Sequence, residues 1–376
     1  MRIITTLKEN IVTEFRSIDR GILYSALLLM FFGFFLTFAA GPAAAIRHKE
    51  SLEWTYFVYK NLAFMPIGLV VLLLVALFPV PWARRVGFLA FVCAIFGMIL
   101  VLIIGRGDSH GAARWISIAG VSVQPSEFVK PAFAVVCGWL LARGKLIHAF
   151  HGYIFSWVLM GITVLLLFKQ PDFGMILTIF GIFAVELFMT GISMKCIMSL
   201  VGLGIALLTA GYLCLNHVYT RINKFFNPNE EVGYQVRKSL ETLKNAGWFG
   251  KGPGEGIVKY DLPDAHTDFI MAVSAEEFGF LLSAIIVMTF MYIVFKGTKL
   301  VRQSNNYFVQ LAVGGLVTQI ACQAIVNMAS TLNLIPTKGM TLPLISYGGS
   351  SLVSMAFAFG LILAFTKRQT FSRGLE

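Results

Sequence analysis

The chain has 376 residues, 57% of them hydrophobic and 13% charged, with a mean hydropathy of +0.78. That balance excludes a soluble globular domain, and with it a soluble basic domain to carry nucleic acid, despite a formal net charge of +11. Apolar runs close to the roughly 20 residues a helix needs to cross about 30 Å of hydrocarbon recur throughout, so an all-α polytopic membrane protein is expected, not a membrane barrel.

Ten spans are predicted in chain order: Gly21–Ala40, Tyr56–Phe78, Val86–Gly105, Ser126–Ala142, Tyr153–Phe168, Phe173–Thr190, Cys196–Asn216, His266–Phe295, Phe308–Thr331 and Leu344–Phe365. Ala43, Ala44 and Ala45 follow the first span in the manner of a signal peptide, but its apolar run is too long, and we read an uncleaved anchor. Fifteen Lys and Arg residues fall on the side of the first terminus, against seven (Arg47, Lys49, Lys60, Arg106, Arg114, Lys169, Lys338) in the short segments opposite. The excess places both termini in the cytoplasm and the long loop His217–Ala265 outside. Membrane lipids with anionic headgroups suit the same charge. Residues 1–376 are read as one membrane domain. Cys93, Cys137, Cys196, Cys214 and Cys322 lack the paired spacing of a metal site and are read as small apolar packers.

The fourth, sixth, eighth and tenth spans follow Pro125, Pro171, Pro263 and Pro343 on the outer side. Gln124-Pro125-Ser126-Glu127 and Gln170-Pro171-Asp172 are near repeats. Helix amino ends that converge on one face suit an anion such as phosphate, whereas each acid also serves as a plain cap for its own helix; both readings stand. Lys130, three residues after Glu127, shares its helical face, as a structural ion pair or as part of a site. The glycine-rich stretch 105–115 is read either as a loop that places Arg114 over a pyrophosphate or as a frame for an interfacial Trp115. In the long loop, Gln235 precedes an amphipathic stretch, Val236 to Ala246, expected to lie on the membrane. Gly247 to Gly256 match no phosphate-loop pattern and are expected to turn the loop back over a pocket.

Three carboxylates in Leu262 to Gly279 draw the most attention, because an acid inside a span costs about 2.5–3.5 kcal/mol on insertion scales. Asp268 is expected on the first turn of the eighth span, beside His266 and Thr267, where water reaches it. Glu276 lies about 12 Å deeper and about 80° around the helix, with Glu277 near the opposite face, so the three form no single cluster. Asp268 is read as chemical. Glu276 and Glu277 are read as structural or coupling residues paired with neighbouring helices, with a relay through Glu276 as the transporter alternative.

His266-Thr267-Asp268-Phe269-Ile270, Ala275-Glu276-Glu277-Phe278-Gly279, Gln124 to Phe128, Gln170 to Asp172 and Leu342 to Ser351 together resemble the SEDS family, the shape, elongation, division and sporulation glycosyltransferases. The resemblance covers essentially the whole chain. Trp115-Ile116, Phe128 to Pro131 and Lys338 to Pro343 lean toward the division branch. Ala113 stands where the family has a first arginine of Arg-Arg-Trp, Met271 replaces an aromatic, and Lys238, Glu241 and Ala246 alter the loop after Gln235. The resemblance implies polymerisation of lipid II into septal glycan at the bacterial cytoplasmic membrane, on its outer face. It also implies polyprenyl diphosphate as leaving group, Asp268 as general base, a monofunctional penicillin-binding transpeptidase partner, and division regulators. Arg114, Trp115, Gln124, Glu127, Lys130, Asp172, Gln235, His266, Thr267 and Ser346 are the expected substrate contacts. A divalent cation (Mg or Mn) on Glu127 or Asp172 is a further expectation, from charge alone. A lipid II flippase or ion-coupled transporter is the alternative of a different class.

Overall fold

The structure is a computed structural model that describes residues 13–47, 53, 55–104, 106–107, 113–118, 121–147, 150–214, 219, 223, 231–336 and 339–367. A helix underlies each predicted span: α1 (Arg20–Arg47), α2 (Tyr56–Leu77), α3 (Val80–Ile104), α4 (Pro125–Leu146), α5 (Gly152–Lys169), α6 (Phe173–Met189), α7 (Met194–Cys214), α9 (Ile270–Gln303), α10 (Tyr307–Thr331) and α11 (Gly349–Phe365), while α8 (Glu231–Lys244) belongs to the long loop. Helices α1, α2, α3, α5, α9 and α10 are long and apolar enough to cross a membrane, and α6, α11 and the Gly202–Cys214 part of α7 are shorter apolar helices. In hydrocarbon a helix satisfies its own backbone, which is why apolar sequence of this length takes that form.

Helices α4, α10 and α11 make the buried centre. Nearly every residue of α11 from Ser350 to Phe365 is buried, as is α4 from Pro125 to Ala142 except at Phe128 and Trp139. Helix α2 packs along α11, α3 along the other side of α4, and α6 and α9 against α10. The periphery is apolar and exposed, as on α3 at Phe88, Leu89, Val92 and Phe96, the pattern of a helix with one face in protein and the other in lipid.

The structure amends the sequence reading in several places. The glycine-rich stretch after α3 is not a bare loop. It builds a three-stranded antiparallel sheet, β1 (Arg106–Gly107), β2 (Ala113–Ile118) and β3 (Val121–Val123), with Arg106 opposite Trp115 and Ile116 opposite Val123, so the chain is not purely α. Of the four prolines only Pro125 occupies the first turn of a helix; Pro263 and Pro343 sit in turns well ahead of α9 and α11. Helix α9 is interrupted at Gly279, whose φ of 77° is left-handed. Helix α8 turns Ser239 and Thr242 inward, with the Ser239 hydroxyl donating to the Thr331 carbonyl at 2.9 Å, and Ala246 just after it is buried too. Lys238 on its outer side reaches Glu241 (3.0 Å) and Asp261 (3.3 Å), and those bonds, Glu241 first, hold its ammonium above the ordinary lysine pKa.

Candidate active site

Asp268 precedes α9 rather than standing on its first turn. The Asp264 carbonyl accepts from the N–H groups of Thr267 (3.1 Å), Asp268 (3.0 Å) and Phe269 (3.3 Å), which winds 264–269 into a tight turn and delays the helix to Ile270. Asp264 itself has φ 53°, a conformation short polar side chains tolerate. The 339–348 segment docks onto this turn. Tyr347 donates its N–H to the His266 carbonyl (2.9 Å), and the Ser346 hydroxyl donates to the Thr267 carbonyl (2.5 Å) while accepting from Leu342 N (2.8 Å). Asn327 of α10 completes the frame, its amide donating to the carbonyls of Asp268 (2.9 Å) and Met340 (2.6 Å). The Asp268 carboxylate abuts Gly339, where a Cβ would stand 3.3 Å from Oδ2, and its residue is partly exposed.

Beside the turn lies a cavity of about 530 Å³ lined by Tyr56, Phe57, Lys60, Asp264, His266 and Tyr347, among others. Phe57, His266 and Tyr347 form one aromatic wall, with centroids 4.5 Å (Phe57–His266) and 5.3 Å (His266–Tyr347) apart. The Lys60 ammonium stands 4.5 Å from the Tyr56 ring centroid. The cavity therefore joins aromatic surface to the Lys60 cation and the Asp264 carboxylate, with Asp268 on the same turn but not in the cavity wall.

A buried polar chain reaches the same place from below. Lys130, fully buried, pairs with Glu127 at 2.7 Å and donates to Gln323 Oε1 at 2.9 Å. Gln323 passes the chain to the Thr341 carbonyl (3.0 Å), and the Thr341 and Ser351 hydroxyls lie 2.6 Å apart. Gln124 N–H donates to the Ser350 hydroxyl at 3.1 Å. Gln323 and Asn327 are one turn apart on α10, so a single helix face ties the Lys130 pair to the Asp268 turn. The amino ends of α4 and α11 meet at the Gln124–Ser350 bond, and Tyr347 joins the segment before α11 to the turn before α9. Removing one member of so buried an ion pair leaves an uncompensated charge, at about 3–5 kcal/mol.

The structure separates other expected contacts from this centre. Arg114 donates to the carbonyls of Gln170 (Nε, 3.0 Å) and Pro171 (Nη2, 2.8 Å), clasping the α5–α6 turn instead of presenting its guanidinium to a ligand. Asp172 caps α6 by accepting from Met175 N at 3.2 Å, so of its two readings the cap is the one realised. Trp115 is half-buried on β2. The backbone of Gln235 lies in α8, but its side chain falls outside the described residues.

Glu276 and Glu277 are fully buried, and their partners are not neighbouring spans but the long loop. Glu276 accepts from the N–H groups of Ile257 (2.9 Å), Val258 (2.8 Å) and Lys259 (3.0 Å); Glu277 pairs with the buried Lys259 ammonium and accepts from Gly254 N (3.1 Å). Lys251 N and Gly252 N reach the Glu276 and Glu277 carbonyls at 2.8 and 2.9 Å. Gly250 (φ 76°) and Gly279 (φ 77°) face each other, and a Cβ on either would collide with the opposite backbone. The glycine-rich segment therefore clamps onto the break in α9, not over the cavity beside Asp268.

Lys60, Tyr347, Gln323 and Asn327 were not singled out from sequence. The amides had a signal: Gln319, Gln323 and Asn327 recur every fourth residue on an otherwise apolar helix. Lys60 had only its place at the start of the second span. Glu186 of α6 was also missed; it is fully buried beside Cys137 and Gly315. No group of three or more His, Cys, Asp or Glu residues able to hold a metal occurs among the described residues. Glu127 faces Lys130 and Asp172 faces a helix amide.

Residues 19–370 match the family model of the cell cycle proteins FtsW, RodA and SpoVE. The chain belongs to this family. It is 37% identical over 351 residues, 93% of its own length and 90% of the relative's, to the probable peptidoglycan glycosyltransferase FtsW of Caulobacter vibrioides. With the protein of the same description from Trichlorobacter lovleyi it shares 34% identity, over 92% of each chain. Among solved structures, a chain from a study of how a peptidoglycan synthase complex coordinates polymerization and crosslinking superposes with a TM-score of 0.75 at 23% identity, covering 93% of this chain and 97% of that one. The rod shape determining protein RodA of Thermus thermophilus gives 0.68 at 22% identity, covering 93% and 96%. These two likenesses establish the family's fold for the bundle described above.

Proposed function

We propose that this FtsW/RodA/SpoVE family member is a peptidoglycan glycosyltransferase of the septum. In this reading ten helices cross the bacterial cytoplasmic membrane with both termini inside, and the Asp268 face looks outward. Lipid II is polymerised there beside a penicillin-binding transpeptidase. The observation that carries the proposal is the Asp268 turn: one partly exposed carboxylate just ahead of α9, held by the docked 339–348 segment and Asn327, beside a cavity that contains Lys60.

Glycoside hydrolases need two carboxylates because a poor leaving group must be protonated. A diphosphate leaves without that help, so a single base suffices. Asp268 takes the proton from the acceptor hydroxyl as its oxygen bonds to the donor's anomeric carbon. The bond from that carbon to the diphosphate oxygen breaks, the electron pair leaves with the polyprenyl diphosphate, and the carbon inverts. Lys60 and the helix amino ends offset the phosphate charge. His266, Thr267 and Ser346 shape the turn, and Glu127, Lys130 and Gln124 hold it from beneath. Arg114, Trp115 and Asp172 fix the neighbouring wall.

The test uses purified protein with its cognate transpeptidase and labelled lipid II, comparing Asp268→Asn with wild type. Glycan ladders from wild type alone support the proposal, and equal ladders from both overturn it. Lipid II crossing liposomes in a protein-dependent way without ladders favours the transporter alternative. Glu276, on which that alternative leaned, has its carboxylate taken up by loop amides.

A further inference from the structure

At the end of the bundle opposite Asp268, a crevice of about 220 Å³ opens between the first turns of α3 and the last turns of α4, lined by Arg84, Arg85, Phe88, Val135, Val136 and Trp139. Its walls are apolar and its rim is cationic. Arg84 stacks over Phe308 (5.9 Å), Arg85 over Trp82 (5.1 Å) and Arg143 over Trp139 (5.4 Å). No carboxylate pairs with these three arginines among the described residues. Three lysines at this end are matched: Lys296 with Asp19 at 3.1 Å, Lys367 with Glu14 at 2.5 Å, and Lys145 with the Thr190 carbonyl at 2.6 Å.

The Trp139 ring forms part of the crevice wall, and its indole Nε1 is buried with no acceptor among the described residues. From the crevice, Phe88, Val92 and Phe96 continue along α3 as an exposed apolar stripe, each four residues from the last and each about half exposed or more.

We propose that this crevice binds an anionic glycerophospholipid of the surrounding bilayer. The guanidinium groups take its phosphate, which matches their planar, weakly hydrated donor sets. An acyl chain follows the Phe88–Val92–Phe96 stripe. A zwitterionic lipid fits less well, because its ammonium would stand among arginines with no carboxylate to receive it. The proposal rests on the chain's lying in a membrane and is independent of the role of Asp268.

Full-length protein carrying equal loads of phosphatidylglycerol and phosphatidylcholine, examined by native mass spectrometry, tests this without reference to enzymatic turnover. Wild type is expected to retain phosphatidylglycerol preferentially, and Arg84→Gln/Arg85→Gln to retain it about 30-fold less well. Lys299→Gln/Arg302→Gln, the same change of charge at the same end of the bundle but away from the crevice, should leave the preference intact. Equal retention of the two lipids by wild type, an equal loss in the Lys299/Arg302 variant, or displacement of the lipid by millimolar inorganic phosphate would each overturn the proposal.

Discussion

Asp268 and the Glu276–Glu277 pair lie on one short segment, yet the chain treats them in opposite ways. Each glutamate has its carboxylate held by amides or a lysine of the long loop, and neither has any solvent exposure. Asp268 is held by its backbone, between the Asp264 carbonyl and the Asn327 amide, and its side chain reaches a partly open turn. A carboxylate filled by backbone N–H groups is fastened as a strut, because proton transfer would have to break those bonds. Asp268 is positioned through its main chain on a partly exposed turn. On the proposed function the segment divides into a chemical half and a clamp at the α9 break.

The comparison breaks most visibly at Asp268→Asn. Its polymerisation rate should fall at least about 100-fold, the lower range for loss of a general base, with little change in melting temperature. The largest stability effect should come from Glu277→Gln, which strands the buried Lys259 charge at about 3–5 kcal/mol. Thermal unfolding reads that loss, and Lys259→Met added to Glu277→Gln should recover much of it. Gly279→Ala should cost on the order of 1–3 kcal/mol, from left-handed strain and collision with the Trp248 carbonyl, and limited proteolysis should then cut residues 247–259 first. Lys60→Gln sharpens the chemical half. Losing one cation beside the departing diphosphate should lower turnover by about tenfold with stability unchanged, as labelled lipid II kinetics would report. Smallest is Asn327→Ser, expected to slow polymerisation a few-fold by loosening the Asp268 carbonyl, within the roughly 0.5–1.5 kcal/mol of one hydrogen bond.

Much of this arrangement was readable from the chain. Apolar runs located the helices, and the Gln124, Gln170, Asp268 and Ser346 motifs pointed to ends that the fold brings near one another in part. Hydropathy failed where short-range bonding overrides it. Asp268 and Ser346 sit beside apolar sequence, so the spans seemed to include them, but a tight turn and a docked loop hold both outside their helices. The Glu276 partners escaped because they are backbone amides of the long loop about 20 residues upstream, and amides carry no signature in residue type; Lys259, the partner of Glu277, is brought to it only by the same loop clamp. Arg114 looked like a ligand arginine for its chemistry, whereas its geometry depends on the Gln170 and Pro171 carbonyls, which only the fold brings to it.

The division of labour is tested most directly by measuring lipid II polymerisation and thermal unfolding on the same preparations of Asp268→Asn and Glu277→Gln. The account predicts that Asp268→Asn melts like wild type and makes no glycan. It also predicts that Glu277→Gln melts markedly lower and still makes glycan at temperatures where it is folded. Glycan from Asp268→Asn, or silence from a folded Glu277→Gln, would contradict it.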